Sequence, residues 1–542
     1  MTRRVLLLLC LALPAAVLPG AEGSTGARAG GLFRVSFQGG LSLQGFDHVD
    51  PALAYTRESW TLLDTICARL MRYRDRPPPQ GYELEPDVAA APPIVSPDGR
   101  TWTFRLRNGF RFSEGSPVRA SAFAQAIYRT MAPGVKSPAY RYTQAIVGAE
   151  DVHAGRAERA SGVTASNNTL TVRFTREVNE FAQWTTMPFF CAVPPTLPPS
   201  REGVRTFPGA GPYTIREYRP NDRIVLGRNL YYGGRRAHHV DGFHVDLSAG
   251  SPDEKIRRVA NGGADWTYTL PAVALQRNHG LIKRFAVNYE RFFLTPGLTV
   301  TMYVLNSSGP LFRNNPQLRQ AVNFALDRER ALPWPGSGVV TDQYLPPTVP
   351  GFKQRTIYPA RDLARARELA AGNLRGRRAL LYVPDVLPAR SAAQGVQLQL
   401  EELGLEIEIR PFGEHATASS YLGRLGDDAD EPWDLGLVLW SPDFVDPAAY
   451  INRLLDGQLA GGTNLARFDE PPFNAQMQQA SRLRGAAREK AYAELDLRLA
   501  RDAAPIVPMA VLSEVTLVSA RVPKRCMLLR PGLVLTTVCL KP

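Results

Sequence analysis

The sequence predicts a mainly α/β protein of two or three domains, and three observations lead there. The chain has 542 residues, more than one domain of ordinary size holds. From about Val300 onward, short apolar runs alternate with stretches of helical spacing, the β-α-β order of an α/β lobe. Ahead of that lies a β-rich stretch, about 84 to 200. It ends in prolines at 188, 194, 195, 198 and 199, which mark a lobe boundary or crossover. Hydrophobic residues at 44% and charged residues at 21% fit a globular chain with a large core, not a disordered one.

The N-terminus reads as a secretory signal. Arg3 and Arg4 precede the apolar stretch Val5 to Leu18, Pro19 and Gly20 break it, and Ala21-Glu22-Gly23 places cleavage near Gly23. The apolar run is shorter than the ~20 residues a bilayer span needs. Cys10 lies inside it, after three leucines and without the small residues of a lipidation site, so a lipid anchor is not expected. Residues 24–31 form a flexible lead, and a strand over Leu32 to Phe37 opens the mature fold.

Trp60 to Tyr73 has helical spacing, with Leu62, Leu63, Ile66 and Leu70 on one side, and Pro77-Pro78-Pro79 ends it. Thr101 to Arg107 alternates with period two, Asn108-Gly109 turns the chain, and Phe110 to Phe112 is expected to return. A helix is expected over Ala120 to Thr130. Val163 to Ala165 and Leu170 to Phe174 flank Asn167-Asn168, a hairpin turn. Strands follow at Tyr213 to Tyr218, Ile224 to Arg228 and Phe243 to Leu247, then a helix over Pro252 to Asn261 that Gly262-Gly263 stops. Val300 to Asn306 is the next strand. Asn315 caps a helix with Pro316 first, and Leu318, Ala321, Val322, Ala325 and Leu326 form its apolar face. Strands are expected at Ala379 to Val383, Glu406 to Pro411 and Leu435 to Trp440, with a helix over Ala392 to Leu403 closed by Gly404. Asn474 to Asp502 reads as helical in two pieces, broken near Gly485.

The formal charge is +13, but the basic residues are spread along the chain, and 57 of the 64 are arginine. That spread, with an export signal, argues against nucleic-acid binding. Four cysteines remain after cleavage: Cys67, Cys191, Cys526 and Cys539. An even count in an oxidising compartment suggests two disulfides, and four cysteines allow three pairings. Joining Cys526 to Cys539 would close a hairpin through Pro531-Gly532 and pin the tail. Cys67 and Cys191 would then join two segments of one lobe. Buried free thiols are the alternative.

Catalytic constellations are missing. There is no G-x-S-x-G elbow, no H-E-x-x-H and no P-loop. His238, His239 and His244 cluster, but Arg235 and Arg236 beside them repel a cation, so no metal site is read there. No cofactor is called for, and no enzyme activity is expected.

An ordered series of segments carries more. Asp50-Pro51-Ala52-Leu53-Ala54-Tyr55 follows the first strand. Leu84 to Ala90 leads into Asp98 to Arg107 and then Gly109 to Val118. Gly209 to Tyr213 precedes Asp222 to Asn229 and Tyr231-Tyr232-Gly233-Gly234. Later come Leu318 to Arg328, Leu345 to Gly351 and Leu439-Trp440-Ser441-Pro442-Asp443-Phe444-Val445-Asp446-Pro447. The series resembles the family-5 extracellular solute-binding proteins, the oligopeptide-, dipeptide- and nickel-binding receptors of ABC importers, from about residue 32 to 520.

The resemblance implies a two-lobed, three-domain periplasmic-binding-protein-like fold with mixed β-sheets and a hinge. Domain I would be split, 32–65 and 200–275, with domain II inserted as 66–199. Domain III would run 276–520, and 521–542 would be a Cys-containing extension. It further implies an exported receptor, periplasmic or at the cell surface, that closes around a peptide or other small solute. The hinge is placed at crossovers near 270–276 and a return strand near 506–520. The partners implied are a membrane permease and its ATPases, with membrane contact only through the permease and the receptor itself a monomer. Asp443 stands where the family's peptide receptors carry the Asp that pairs with a ligand's α-ammonium, a charge-assisted bond. Trp440 would line the cleft or end a buried strand, and Tyr55 and Asn306 sit at loop or strand ends that would face it. A non-peptide cargo (a metal chelate, a sugar oligomer, an opine) is the alternative within the same fold. A secreted hydrolase is disfavoured by the missing nucleophile motifs.

Overall fold

The computed structural model describes residues 30–37, 45–269, 283–333, 336–412, 433–530 and 532–542. The export segment with Gly23, the crossover at 270–276 and Pro531 lie outside these residues.

The architecture is built on an 11-stranded mixed sheet. At its centre two long strands, Phe292–Leu305 and Ile506–Val518, run antiparallel. Outward from the first lie Leu435–Trp440, Arg378–Pro384 and Glu406–Phe412, the last two parallel to each other. Outward from the second lie Trp266–Thr269, Leu32–Ser36, Gly242–Asp246, Arg223–Arg228 and Tyr213–Arg219. The pairing of the two long strands slips in register between Pro296 and Val300. Gly297 sits in that slip, where a Cβ would lie 2.5 Å from the Leu512 carbonyl oxygen, so any larger residue would push the strands apart.

Apolar runs become strands where both faces are covered. The helix Pro316–Ala325, capped by the Asn315 side chain on the Leu318 amide, lays Leu318, Ala321, Val322 and Ala325 on Leu305, Leu381 and Leu437, all fully buried. Each such side chain contributes about 1.5–3 kcal/mol by leaving water. The β-rich stretch forms a separate four-stranded sheet of Ile94–Val95, Thr101–Arg105, Thr169–Arg173 and Val163–Ser166. The helix Ala120–Met131 closes it over Trp102, Phe104, Leu170 and Val172. Asn167 takes the left-handed backbone of the hairpin turn, φ 47°.

Two local expectations change. The helix from the 60s ends at Ile66, because Cys67 turns extended and Met71–Tyr73 pairs with Leu84–Pro86 as a two-stranded ribbon. The Phe110 to Phe112 strand is only a turn with a single bridge, Arg111 to Pro117. Cys67 and Cys191 stand at bonding distance with Cα atoms 5.3 Å apart, and Cys526 and Cys539 likewise at 5.4 Å. The C-terminal segment is no loose tail: Leu533, Leu535, Val538 and Leu540 are buried in one core with Phe33, Val35 and Phe243. Among the described residues, no helix is long and apolar enough to cross a membrane.

Candidate ligand-binding cavity

The helix Arg57–Ile66 has two faces of different character. Leu62, Leu63 and Ile66 go into the core. Arg57, Trp60, Thr61 and Asp64 stand at i, i+3, i+4 and i+7, one face of a 3.6-residue helix, and line a cavity of about 390 Å³. The opposite walls come from distant parts of the chain: Tyr73, Thr186–Pro188, Trp266, Tyr268, Ser441–Val445 and the C-terminal loop. Ser441–Val445 reaches the cavity because the strand Leu435–Trp440 ends there, its Ser441 hydroxyl 2.7 Å from that of Thr299 on the central strand.

At one end of the helix face stands Asp443. Tyr55 donates its hydroxyl to Asp443 Oδ1 at 2.8 Å, and Arg141 donates from Nη2 to Oδ2 at 2.7 Å. Tyr142 also donates its hydroxyl to Oδ2, and Arg141 donates to the Tyr55 oxygen. The guanidinium lies over both rings, 5.1 Å from the centre of Tyr55 and 5.2 Å from that of Tyr142. Burial, followed by the charge of Asp443, pushes the Tyr55 phenol up to about 12, so it stays a donor at neutral pH. The carboxylate is thus surrounded by donors, one of them a cation.

At the other end stands Asp64. Burial alone would raise its pKa, but the charges of Arg69, Arg236 and Arg530 hold it down to about 2. Arg69 binds it at 2.6 Å, with Arg236 at 3.8 Å. At the first turn of the helix, Arg57 is clasped by Glu514 and reaches Thr299 Oγ1 at 3.4 Å. Burial works against the Arg57 charge, but the Glu514 carboxylate outweighs it and keeps the group protonated.

Of the residues singled out in the sequence, the structure brings Asp443 and Tyr55 together at the cavity. Trp440 is partly buried against the core under the central strands, its indole N–H donating to the Ala449 carbonyl at 2.9 Å. Asn306 is buried away from the cavity. Its side-chain amide donates to the Trp433 carbonyl at 2.8 Å and its oxygen accepts from Ser308, so it ties a strand end rather than facing a cleft. Arg141, Tyr142, Asp64, Arg69 and Arg530 were not singled out. The arginines carry no distinguishing signal among 57, whereas the polar stripe Arg57, Trp60, Thr61 and Asp64 was readable at helical spacing.

The family model for "Bacterial extracellular solute-binding proteins, family 5 Middle" matches residues 83–462. The chain is 22% identical over 424 residues to the probable D,D-dipeptide-binding periplasmic protein DdpA of Escherichia coli K12, covering 76% of each chain. It is 25% identical over 441 residues to the periplasmic oligopeptide-binding protein OppA of the same organism, again 76% of each. Among solved structures it is similar to the clavulanic acid biosynthesis oligopeptide binding protein 2. There the TM-score is 0.84 and the identity 23%, over 95% of this chain and 96% of that one.

Proposed function

Because the chain belongs to the bacterial extracellular solute-binding proteins of family 5, we propose that it captures short peptides outside the cytoplasm and hands them to the permease of an ABC-type importer. The observation that carries this reading is Asp443, a carboxylate at the edge of a cavity whose walls come from widely separated chain segments. A carboxylate so placed selects a cation, and a peptide's α-ammonium is the cation that brings a chain with it. Relatives named for dipeptide and oligopeptide binding support the choice of cargo.

Binding proceeds by exchange. The incoming ammonium takes the place of the Arg141 guanidinium on Asp443 Oδ2, while Tyr55 keeps Oδ1. Asp443 and the groups that hold it, Tyr55, Arg141 and Tyr142, come from chain segments about 300 residues or more apart, so a ligand held between those segments favours the closed arrangement of the lobes and shifts the population toward it. The expected hinge is the crossover near 270–276 with the return strand near 506–520, of which the described part is Ile506–Val518. The closed receptor then docks on the permease, and no bond of the ligand is made or broken.

A second reading has its own observation: Arg141 already neutralises Asp443, which suits a cargo with no ammonium. Titration calorimetry on the wild type and Asp443→Asn separates the two. Loss of peptide binding by tenfold or more in the variant supports the ammonium anchor, and unchanged binding sinks it. Mass spectrometry of ligand carried through native purification identifies the class directly, and a non-peptide solute there would overturn the cargo.

A further inference from the structure

The last residues of the chain form a closed loop, and it stands in the cavity wall. Cys526 and Cys539 tie its ends, and Leu529 pairs with Leu533 across it. Leu533, Val534 and Leu535 are buried and, with Arg530 and Gly532, line the cavity. Arg530 fixes the loop to the far side: Nη1 donates to the carbonyl of Tyr73 at 3.3 Å and to that of Arg74, and lies 3.6 Å from Asp75 Oδ1. Nη1 carries the hydrogen bonds of Arg530 to the Tyr73 and Arg74 carbonyls, and Arg530 lines the cavity. The loop lies outside the residues the family model matches.

The helix face sets a length. Tyr55 and Asp443 stand at the N-terminal end of Arg57–Ile66, and Asp64 with Arg69 and Arg530 at its C-terminal end, all on the cavity. From Arg57 to Asp64 the helix rises roughly 10 Å. An extended peptide covers about 3.3–3.6 Å per residue, so roughly three residues fit between the ends. The cavity of about 390 Å³ is near the small end of the usual ~300–1,000 Å³ range for ligand sites. The charges match a zwitterion: a carboxylate, Asp443, at one end, and at the other Arg69 and Arg530 on the cavity beside Asp64.

We infer that the Cys526–Cys539 loop is the end wall of the ligand chamber, that Arg530 faces the ligand's C-terminal carboxylate, and that the chamber selects extended peptides of about three residues. This rests on the peptide reading and deepens it. Both ends of the cargo are then recognised by charge, and its length by a wall that the chain's own terminus supplies.

The test presents the native protein with randomised pools of tripeptides and hexapeptides, each as free acid and as C-terminal amide, read by native mass spectrometry. The wild type is expected to take tripeptide acids about tenfold or more over both hexapeptides and amides. Arg530→Gln is expected to erase the preference for acid over amide. The double variant Cys526→Ser/Cys539→Ser is expected to erase the preference for length, with its melting curve checking that it folds. If it does not fold, Arg530→Gln decides alone. Hexapeptides bound as readily as tripeptides by the wild type, or an acid-to-amide ratio unmoved by Arg530→Gln, overturns the wall while leaving the receptor reading intact. A wild type that takes no peptide from any pool removes the peptide reading and this inference together.

Discussion

Replacing Arg141 by alanine is expected to tighten, not weaken, the binding of a free-ammonium peptide. Arg141 and Asp443 form an ion pair at 2.7 Å, with side chains 41% and 21% exposed. Pairs that exposed are worth only about 0.2–1 kcal/mol, because water and salt screen them. The stacking of the guanidinium on Tyr55 and Tyr142 adds about 0.5–1 kcal/mol. An ammonium that takes over Asp443 must displace contacts worth about 1–2 kcal/mol, so deleting them improves affinity roughly five- to thirty-fold. Tyr55 and Tyr142 still donate to the carboxylate in the variant, so Asp443 is not stranded. Titration calorimetry with one tripeptide and its N-acetyl form reads the effect. The free amine should gain and the acetylated form should not. Weaker binding of the amine, or an equal gain for both forms, would refute the exchange.

Three further outcomes are expected. Asp50→Ala should cost about 3–5 kcal/mol of stability, read by denaturant unfolding, since it strands the buried Arg129, now held at 2.7 and 2.8 Å by the two carboxylate oxygens. Burial pushes the carboxyls of Glu58 and Asp496 up to about 7, above their unfolded values, so the folded chain holds protons there that the unfolded chain releases. Each group should therefore cost on the order of 3 kcal/mol of stability as pH rises from about 4 to 7, and Glu58→Gln with Asp496→Asn should flatten that slope in melting curves. Asp64, held down to about 2, works in the opposite sense and loses its contribution only below about 4. Cys67→Ser/Cys191→Ser opens a link between residues 124 apart and should cost about 4–5 kcal/mol on the chain-entropy view, read as a lowered Tm.

Much of the fold was legible because apolar periodicity and punctuation acted locally. Leu435–Trp440 falls where its apolar run does, and the helix beginning at Pro316 starts at its predicted cap. The break in the late helices falls at Gly485, which takes φ 54°. What failed did so where distant groups override local pattern. The first helix stops at Ile66 because Cys67 meets Cys191 and the next residues find a strand partner. At the cavity, Asp443 was singled out by the pattern around it and Tyr55 by its loop position, and the two meet there. Their partners were invisible for a physical reason: Arg141 and Arg530 matter only by what they meet, hundreds of residues away along the chain. Trp440 and Asn306 look alike at strand ends whether they face a cleft or tie down a loop, and only the acceptors Ala449 and Trp433 decide it.

The strand Ile506–Val518 is near the end of the chain yet at the centre of the sheet, paired with Phe292–Leu305 on one side and Trp266–Thr269 on the other. A ribosome or an export channel releases a chain from its N-terminus, so this keystone emerges last. Until it arrives, the strands from both halves present unpaired edges across a gap. Closing that gap joins segments about 200 residues apart, a late and slow kind of contact. On the export reading, the chain crosses with those edges unpaired until Ile506–Val518 follows. A copy clipped after Leu512 would lose the pairing with Trp266–Thr269 at the middle of the sheet, not at its margin.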